Sequence, residues 1–445
     1  MLDIQFIRDN PELVAEKSKQ KGYEVDVTQL LGFDKERREL TQQVEEIRQK
    51  RNELSSATKG QRPSDDQVQQ GRDLKEKLGD LEHKLSSIDK EFTQLLKSVP
   101  NMPAKDVPIG ASEEENQVSK TIGEPAKFDF EPKSHAEIAV EKGWLDKERA
   151  AKVTGSRFAY IRGDLVKLQF AIIQFVMDKL SNQDFINEII NENNLKLSDK
   201  PFIPILPPFM LRTELYDAMD RLEPRDDRYK IEGEELWLQG SAEHVLGSMH
   251  AEEIFAEEDL PIRYIGYATS FRREAGTYGK DMEGMFRMHQ FDKLEMESIT
   301  TGGTGADEHL LLIAIQEKLM QMLDIPYQVL QKCTADIGKP NSRGIDIEAW
   351  LPSQRQYRET HTADYMTDYQ ARRLKTRVKI TNPATISDGE VQAEATINEF
   401  VHTNDATAIP LSRVPIAIIE NNQTIEGNVR VPNVLQPYMG GKVEF

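Results

Sequence analysis

The most regular pattern along the chain lies between about residues 30 and 96. Leu74, Leu78, Leu81, Leu85, Ile88, Phe92 and Leu95 recur at alternating steps of four and three. This is the a/d seam of a helix that buries a narrow stripe against another. Leu40, Val44, Ile47 and Leu54 repeat the pattern upstream, with Arg51 at the one seam position that is not apolar. Between the two runs Gly60 and Pro63 break the helix, and Ser64 or Asp65 can cap the next one. The pattern predicts an antiparallel coiled-coil hairpin whose helices, at about 30 residues each, reach roughly 45 Å. Such a hairpin has too little apolar surface for a globular domain and is expected to project as an arm. Taken alone, the seam fits a dimerisation coiled coil as well.

From Val99 to about Pro132 the periodicity dissolves among Pro100, Pro103, Pro108, Gly110 and Pro125, as in a linker or a surface-wrapping segment. Beyond it, Leu165 to Leu180 reads as a helix with Leu165, Leu168, Ile172, Phe175 and Val176 on one face. Ile262 to Phe271, Ile345 to Leu351 and Ala393 to Val401 read as strands. Helices among many strands, without regular βαβ alternation, predict an α+β fold with a largely antiparallel sheet. The expected division is a helical hairpin arm over 1–100, a linker over 101–133 and a catalytic domain over 134–445.

Composition narrows the class. Of 445 residues, 38% are hydrophobic and 30% charged, and no apolar run reaches 18 residues, so no membrane span is expected. The start carries no basic segment followed by an apolar stretch. The single cysteine, Cys333, allows no internal disulfide and no multi-cysteine zinc site, which suits a reduced, cytoplasmic protein. His135, His244 and His250 show no zinc-ligand spacing either. The net charge of −19 argues against a polyanion partner. Its distribution softens that argument. Residues 1–100 hold 18 Lys/Arg against 20 Asp/Glu, so nearly all the negative charge lies downstream and any nucleic-acid contact belongs to the N-terminal part or a local patch. Lys59 and Arg62 at the hairpin tip are candidate phosphate contacts, or plain solvated charge.

Candidate chemistry concentrates in Ser270-Phe271-Arg272-Arg273-Glu274-Ala275-Gly276 and in Phe286-Arg287-Met288-His289-Gln290-Phe291-Asp292-Lys293-Leu294-Glu295. Charges at the ends of two strands joined by a loop can converge on one small polyanion. Arg272 can offer a planar fork to a phosphate, Glu274 can accept from an exocyclic amine, and Phe291 can stack on a base. Ordinary ion pairs on a surface hairpin are the alternative. Gly302-Gly303-Thr304-Gly305 is followed by no Lys-Ser/Thr and reads as a plain loop. His289 reads as structural.

The string from Phe271 to Glu295 resembles the second signature motif of class II aminoacyl-tRNA synthetases, in the version of the seryl-tRNA synthetases. Asp346 to Pro352 with Tyr357 to His361 and Gln370 to Arg373 is similar to a further block of that family, and Ala417 to Asn421 with Val434 to Gly440 to another. Phe202 to Leu211, with Pro207 at the proline bordering the dimer interface, resembles the first motif; its plainer reading is a proline-rich edge strand. The resemblance spans nearly the whole chain. It implies a class II antiparallel sheet flanked by helices, a homodimer, and a hairpin that presents tRNA(Ser), with tRNA(Sec) left open as a second partner. The implied reaction joins L-serine and ATP into seryl-adenylate, with Mg2+, and moves the seryl group to tRNA.

By the family's pattern Arg272 would hold the α-phosphate and the serine carboxylate, Glu274 the adenine amine, and Arg287 the terminal phosphates. Phe291 would stack on adenine and Arg413 would cover its other face and reach the γ-phosphate. Glu359, itself at the ATP site, and Thr362 would ligate magnesium. Ser241, Glu243, Glu295, Asp405 and Thr407, with Arg272, would select serine. Ser241 stands where the family has threonine, and Asp405 where asparagine is expected, which predicts an extra negative charge beside the substrate carboxylate. The third motif lacks its usual glycines; Pro410 is expected in a helix's first turn, and Pro415 is expected to kink that helix. Two other readings stay open: a ligase that loads a carrier protein, which residues 34–97 disfavour, and a non-catalytic tRNA-binding homologue.

Overall fold

The computed structural model describes residues 1–57, 59, 63–275, 284–382, 385–387, 390–392 and 395–445. The chain forms two compact units, Met1–Met102 and Pro103–Phe445. No helix among the described residues is long and apolar enough to cross a membrane.

In the first unit two short helices, α1 (Ile4–Asp9) and α2 (Pro11–Gln20), precede the long α3 (Val27–Ala57) and α4 (Asp65–Ser98). Neither short helix has a strong hydrophobic period. Asp3 caps α1 and a proline occupies the first turn of α2. Ser64 caps α4 through a reciprocal capping box with Gln67. The seam closes within the chain: Leu40, Val44 and Ile47 of α3 meet Leu78 and Leu81 of α4, flanked by half-buried Leu74, Leu85 and Ile88. This intramolecular pairing uses the stripe that a dimerisation coiled coil would need. Arg51 stays exposed. At the root the Asp34 carboxylate is buried, with Arg8 Nε at 2.7 Å and Arg38 Nε at 3.1 Å, while Arg37 lies 3.4 Å from it and covers the Phe92 ring.

The second unit is built on an eight-stranded sheet. Its strands in chain order are β1 (Gln117–Ile122), β2 (Ile203–Ile205), β3 (Ile262–Phe271), β4 (Gln290–Thr300), β5 (Tyr327–Gln331), β6 (Arg343–Leu351), β7 (Gln356–Thr367) and β8 (His402–Pro410). Their spatial order is β1-β5-β6-β7-β8-β4-β3-β2, antiparallel except for β2 on β3. Helix α5 (Asp164–Leu180) buries the five expected residues, with Ala171 and Leu180 beside them, in the main core. Part of the stretch expected as a linker is woven into the body, because β1 pairs along β5. The expected strand at 393–401 is Ala395–Phe400 in a separate three-stranded sheet; residues 393 and 394 lie outside the described residues.

Helix α6 (Glu243–Ser248) stands near β4, and α7 (Gly305–Met322) packs against β7, β8 and β4. Gly302 to Thr304 is the turn that leads into α7, as expected of a plain loop. Under the sheet, fully buried Arg263 of β3 and Glu308 of α7 form a two-pronged ion pair, and Ser298 Oγ donates to Glu308. The third-motif prolines differ from expectation. Pro410 ends strand β8 rather than opening a helix. Pro415 occupies the first turn of α8 (Val414–Asn421), where its missing N–H has no helical acceptor to lose, so it starts the helix instead of kinking it.

Candidate active site

Strands β3 and β4 pair from Ile262↔Ile299 to Phe271↔Gln290, which brings the two halves of the motif to one end of the sheet. There a cavity of about 590 Å³, open mouth included, lies among Arg272, Glu274, Arg287, Phe291, Glu359, Thr362, Thr407 and Arg413. That volume suits a drug-sized ligand. Three guanidiniums from distant parts of the chain therefore face one space. Arg272 is fixed from several sides: its Nε donates to the Gly240 carbonyl at 2.9 Å, its guanidinium lies 5.4 Å from the Phe291 ring, and its backbone is tied to His289. The His289 ring contacts the Arg272 carbonyl and packs by Phe158, so this histidine holds the strand ends. Arg287 pairs with Glu274, and Arg413 Nη1 lies 2.8 Å from Glu359 Oε1.

Two residues that the sequence did not single out complete the walls. Phe286 lies between the guanidiniums of Arg358, 4.4 Å away, and Arg413, 4.9 Å away. Lys293 forms part of the deep wall. A cation flanking an aromatic ring leaves no periodic signature, so neither contact could be read from spacing.

Behind the deep wall is a polar layer set by strand register. Glu295 faces Thr407 and Glu297 faces Asp405 across β4 and β8. Ser241, Glu295, Glu297 and Asp405 are essentially buried and lie behind the cavity, while Thr407 reaches both. Thr407 Oγ1 donates to Glu295 at 3.2 Å, and Lys293 Nζ lies 2.6 Å from Glu295 and 2.9 Å from Ser241 Oγ. Burial pushes the Glu295 carboxyl up to about 7, against the pull of Lys293. Burial also opposes charge on Glu243, which opens α6, but nearby cationic side chains including Lys293 and Arg221 hold its carboxyl below the ordinary range.

Asp405 is corrected by this layer. Burial first, and Glu243 next, drive its carboxyl well above the usual carboxylate range; burial and Asp405 do the same to Glu297. Facing carboxyls in a dry layer cannot both ionise readily. The pair therefore keeps a proton at neutral pH, and the extra negative charge predicted for Asp405 does not develop there. Its remaining polar neighbour is Arg221, 3.5 Å away.

Glu359 and Thr362, three residues apart, would face opposite sides of a regular strand. The β6–β7 register skips Thr360, pairing Ile347 with His361 and Glu348 with Glu359. This bulge returns Glu359 and Thr362 to one face. Thr362 Oγ1 is buried with no hydrogen-bond partner in the structure. A carboxylate and an orphaned hydroxyl oxygen on one wall are hard donors that fit magnesium, which takes few protein ligands and completes its shell with phosphates and water. A second bulge, at Ala408, aligns Pro410 with Lys293 and Thr407 with Glu295. At the hairpin tip Lys59 is exposed, and Arg62 lies outside the described residues.

Comparison with known proteins gives this geometry its context. Residues 1–103 match the seryl-tRNA synthetase N-terminal domain and residues 228–422 the tRNA synthetase class II core domain (G, H, P, S and T). The chain is 36% identical to a serine--tRNA ligase of Thermodesulfovibrio yellowstonii and 32% identical to one of Nitrosopumilus maritimus, over at least 99% of each chain. Among solved structures, seryl-tRNA synthetase from Pyrococcus horikoshii complexed with ATP superposes with a TM-score of 0.84 at 34% identity, covering 100% of this chain and 99% of that one. Cytoplasmic serine-tRNA ligase from Naegleria fowleri in complex with AMP gives 0.80 at 28%, covering 100% and 98%. With both domain types in order and relatives matched from end to end, the chain belongs to the seryl-tRNA synthetase family of class II aminoacyl-tRNA synthetases.

Proposed function

We propose that the chain activates L-serine with ATP, giving seryl-adenylate and pyrophosphate, and then transfers the seryl group to the 3′ end of tRNA(Ser). The observation that carries this reading is the convergence of Arg272, Arg287 and Arg413 around one cavity, with Phe291 on its wall and a buried hydroxyl-and-carboxylate layer behind it. The first step is in-line attack of the serine carboxylate on the α-phosphorus. It requires positioning and charge neutralisation rather than a protein nucleophile. Arg272 bridges the α-phosphate and the serine carboxylate, Arg287 takes the terminal phosphates, and Glu274 accepts from the adenine amine. Phe291 stacks on the base, with Arg413 on the other side and toward the γ-phosphate. Ser241, Glu295 and Thr407 recognise the small hydroxyl and the ammonium, with Glu243 and Asp405 behind them. A pocket built to hydrogen-bond a hydroxyl rejects alanine, whose binding leaves its polar groups unpaired. Glu359 and Thr362 would hold Mg2+, which when bound adds positive charge at the phosphates.

In this reading the α3–α4 hairpin engages the tRNA through its backbone, with Lys59 and Arg62 among the contacts, so binding weakens steeply with salt. A second copy of the chain covers the apolar run of Ile203, Leu206, Phe209 and Met210, which is exposed in the single chain. Its tRNA substrate puts the activity in the cytoplasm. Serine-dependent ATP–pyrophosphate exchange, followed by charging of tRNA(Ser), tests the reading. Exchange with serine and not with alanine is expected, and no exchange with any amino acid removes the activity.

A further inference from the structure

Lys293 has no assigned part in the reaction above, yet it joins the residues that do. It sits on β4 two residues before Glu295, so the two side chains leave the same face of the strand. The side chain is 8% exposed. Its ammonium reaches Glu295 Oε2 at 2.6 Å and donates to Ser241 Oγ at 2.9 Å. Ser241 Oγ is itself 3.5 Å from the same carboxylate oxygen, and Thr407 holds the other oxygen. The three groups that would recognise serine thus form one circuit closed by Lys293. An ammonium has three N–H donors; two are used in the circuit, leaving one for the nucleotide cavity that the same side chain lines.

Charge gives the circuit a direction. The charged groups facing Glu295 are Lys293 on its own strand, Glu243 from α6, Glu297 two residues along, and Asp405 from β8. Arg221 counters the outer carboxylates Asp405 and Asp364, and His361 of β7 lies on the Lys293 side. Lys293 is the cation bonded to Glu295. A substrate ammonium entering this pocket meets a carboxylate already shared with Lys293. The carboxylate of that substrate then meets the lysine's remaining donor.

We propose that Lys293 is a positioning residue of the amino-acid pocket: it holds the Glu295 carboxylate and the Ser241 hydroxyl in the geometry that receives a substrate ammonium and hydroxyl, and turns its own charge toward the substrate carboxylate where the pocket meets the nucleotide cavity. This rests on the serine-activating reading, so the intact wild-type protein is assayed first. Exchange with serine upholds that reading whatever the variants do, and its absence removes both.

In Lys293→Met the KM for serine is expected to rise about 10- to 100-fold, the range for losing a charge-assisted hydrogen bond, while the KM for ATP stays within about threefold. The acid limb of the pH profile of kcat/KM for serine moves up by about one to three pH units, because Glu295 loses the opposite charge that favours its ionised form. Lys293→Arg keeps the charge and leaves that limb in place. Should Lys293→Met fail to fold, Lys293→Gln, which keeps a donor and loses the charge, gives the same readings. An unchanged serine KM overturns the proposal. Equal rises in both KM values with no movement of the acid limb overturn it too, since a general loss of structure would do that.

Discussion

The α3–α4 hairpin and the β3–β4–β8 layer answer opposite physical problems. The hairpin buries a stripe one or two residues wide and leaves nearly everything else in water; of its eight clustered seam residues, three are only half buried. The sheet layer is the reverse, with Ser241, Glu295, Glu297 and Thr407 buried among strands at 2% exposure or less. A narrow apolar stripe needs period and little else. A buried polar layer needs every partner placed, because each unpaired group costs on the order of 1–3 kcal/mol. The first is tolerant in sequence and the second is exacting in geometry.

The largest effects separate the two regions by function. Arg272→Ala is expected to lower serine-dependent exchange by about 10² to 10³-fold, the loss typical of one preorganised charge donor. Removing residues 36–95 should leave exchange within about threefold and reduce tRNA(Ser) charging sharply, since the phosphate contacts that supply tRNA affinity go with the arm. Charging that survives the deletion unchanged would remove the arm's proposed role.

Stability sharpens the same contrast. Glu308→Ala leaves the buried Arg263 guanidinium without its carboxylate and should cost the body about 3–5 kcal/mol in urea unfolding. Replacing both partners with apolar residues should cost much less. In the hairpin unit, Asp34→Ala should cost about 2 kcal/mol through lost bonds to Arg8 and Arg38. Burial opposes the charge on Asp34, but Arg8 outweighs it and the carboxyl sits below its ordinary value. A depressed folded pKa means that this contribution is complete above the unfolded value, about 3.9, and fades as pH falls through the folded value. Urea unfolding of the hairpin unit, followed by its helical signal, should show this loss in wild type as the pH is lowered through that window. An Asp34→Asn variant should lack this component.

The smallest effects lie on the hairpin surface. Ser64→Ala removes the cap of α4 and should cost about 1 kcal/mol. Arg48→Ala, which breaks the exposed 2.7 Å pair with Glu82, should cost less than about 1 kcal/mol.

Legibility in the sequence divides along the same line. The seam of α3 and α4, the face of α5 and the strand Ile262–Phe271 are visible because one period runs through each. The charged residues of the cavity are visible through family resemblance rather than period. The bulges at Thr360 and Ala408 are not visible, since one unpaired residue leaves no mark on composition, yet they place Glu359 with Thr362 and Thr407 with Glu295. Pro415 misleads because a proline is read by its residue type until the helix start is known. Asp405 misleads because its charge depends on Glu297, which lies on another strand and meets it only in the folded sheet. Lys293 reads as one more charge in a charged string, and only its two short contacts single it out.

The most direct test of the central claim, that guanidiniums from separate motifs enclose one nucleotide beside a serine pocket, is a crystal structure with a non-hydrolysable seryl-adenylate analogue bound. The account predicts adenine against Phe291, the phosphate mimic at Arg272 and the seryl ammonium on Glu295. An analogue bound elsewhere, or bound here with its seryl group turned away from Ser241, Glu295 and Thr407, would contradict it.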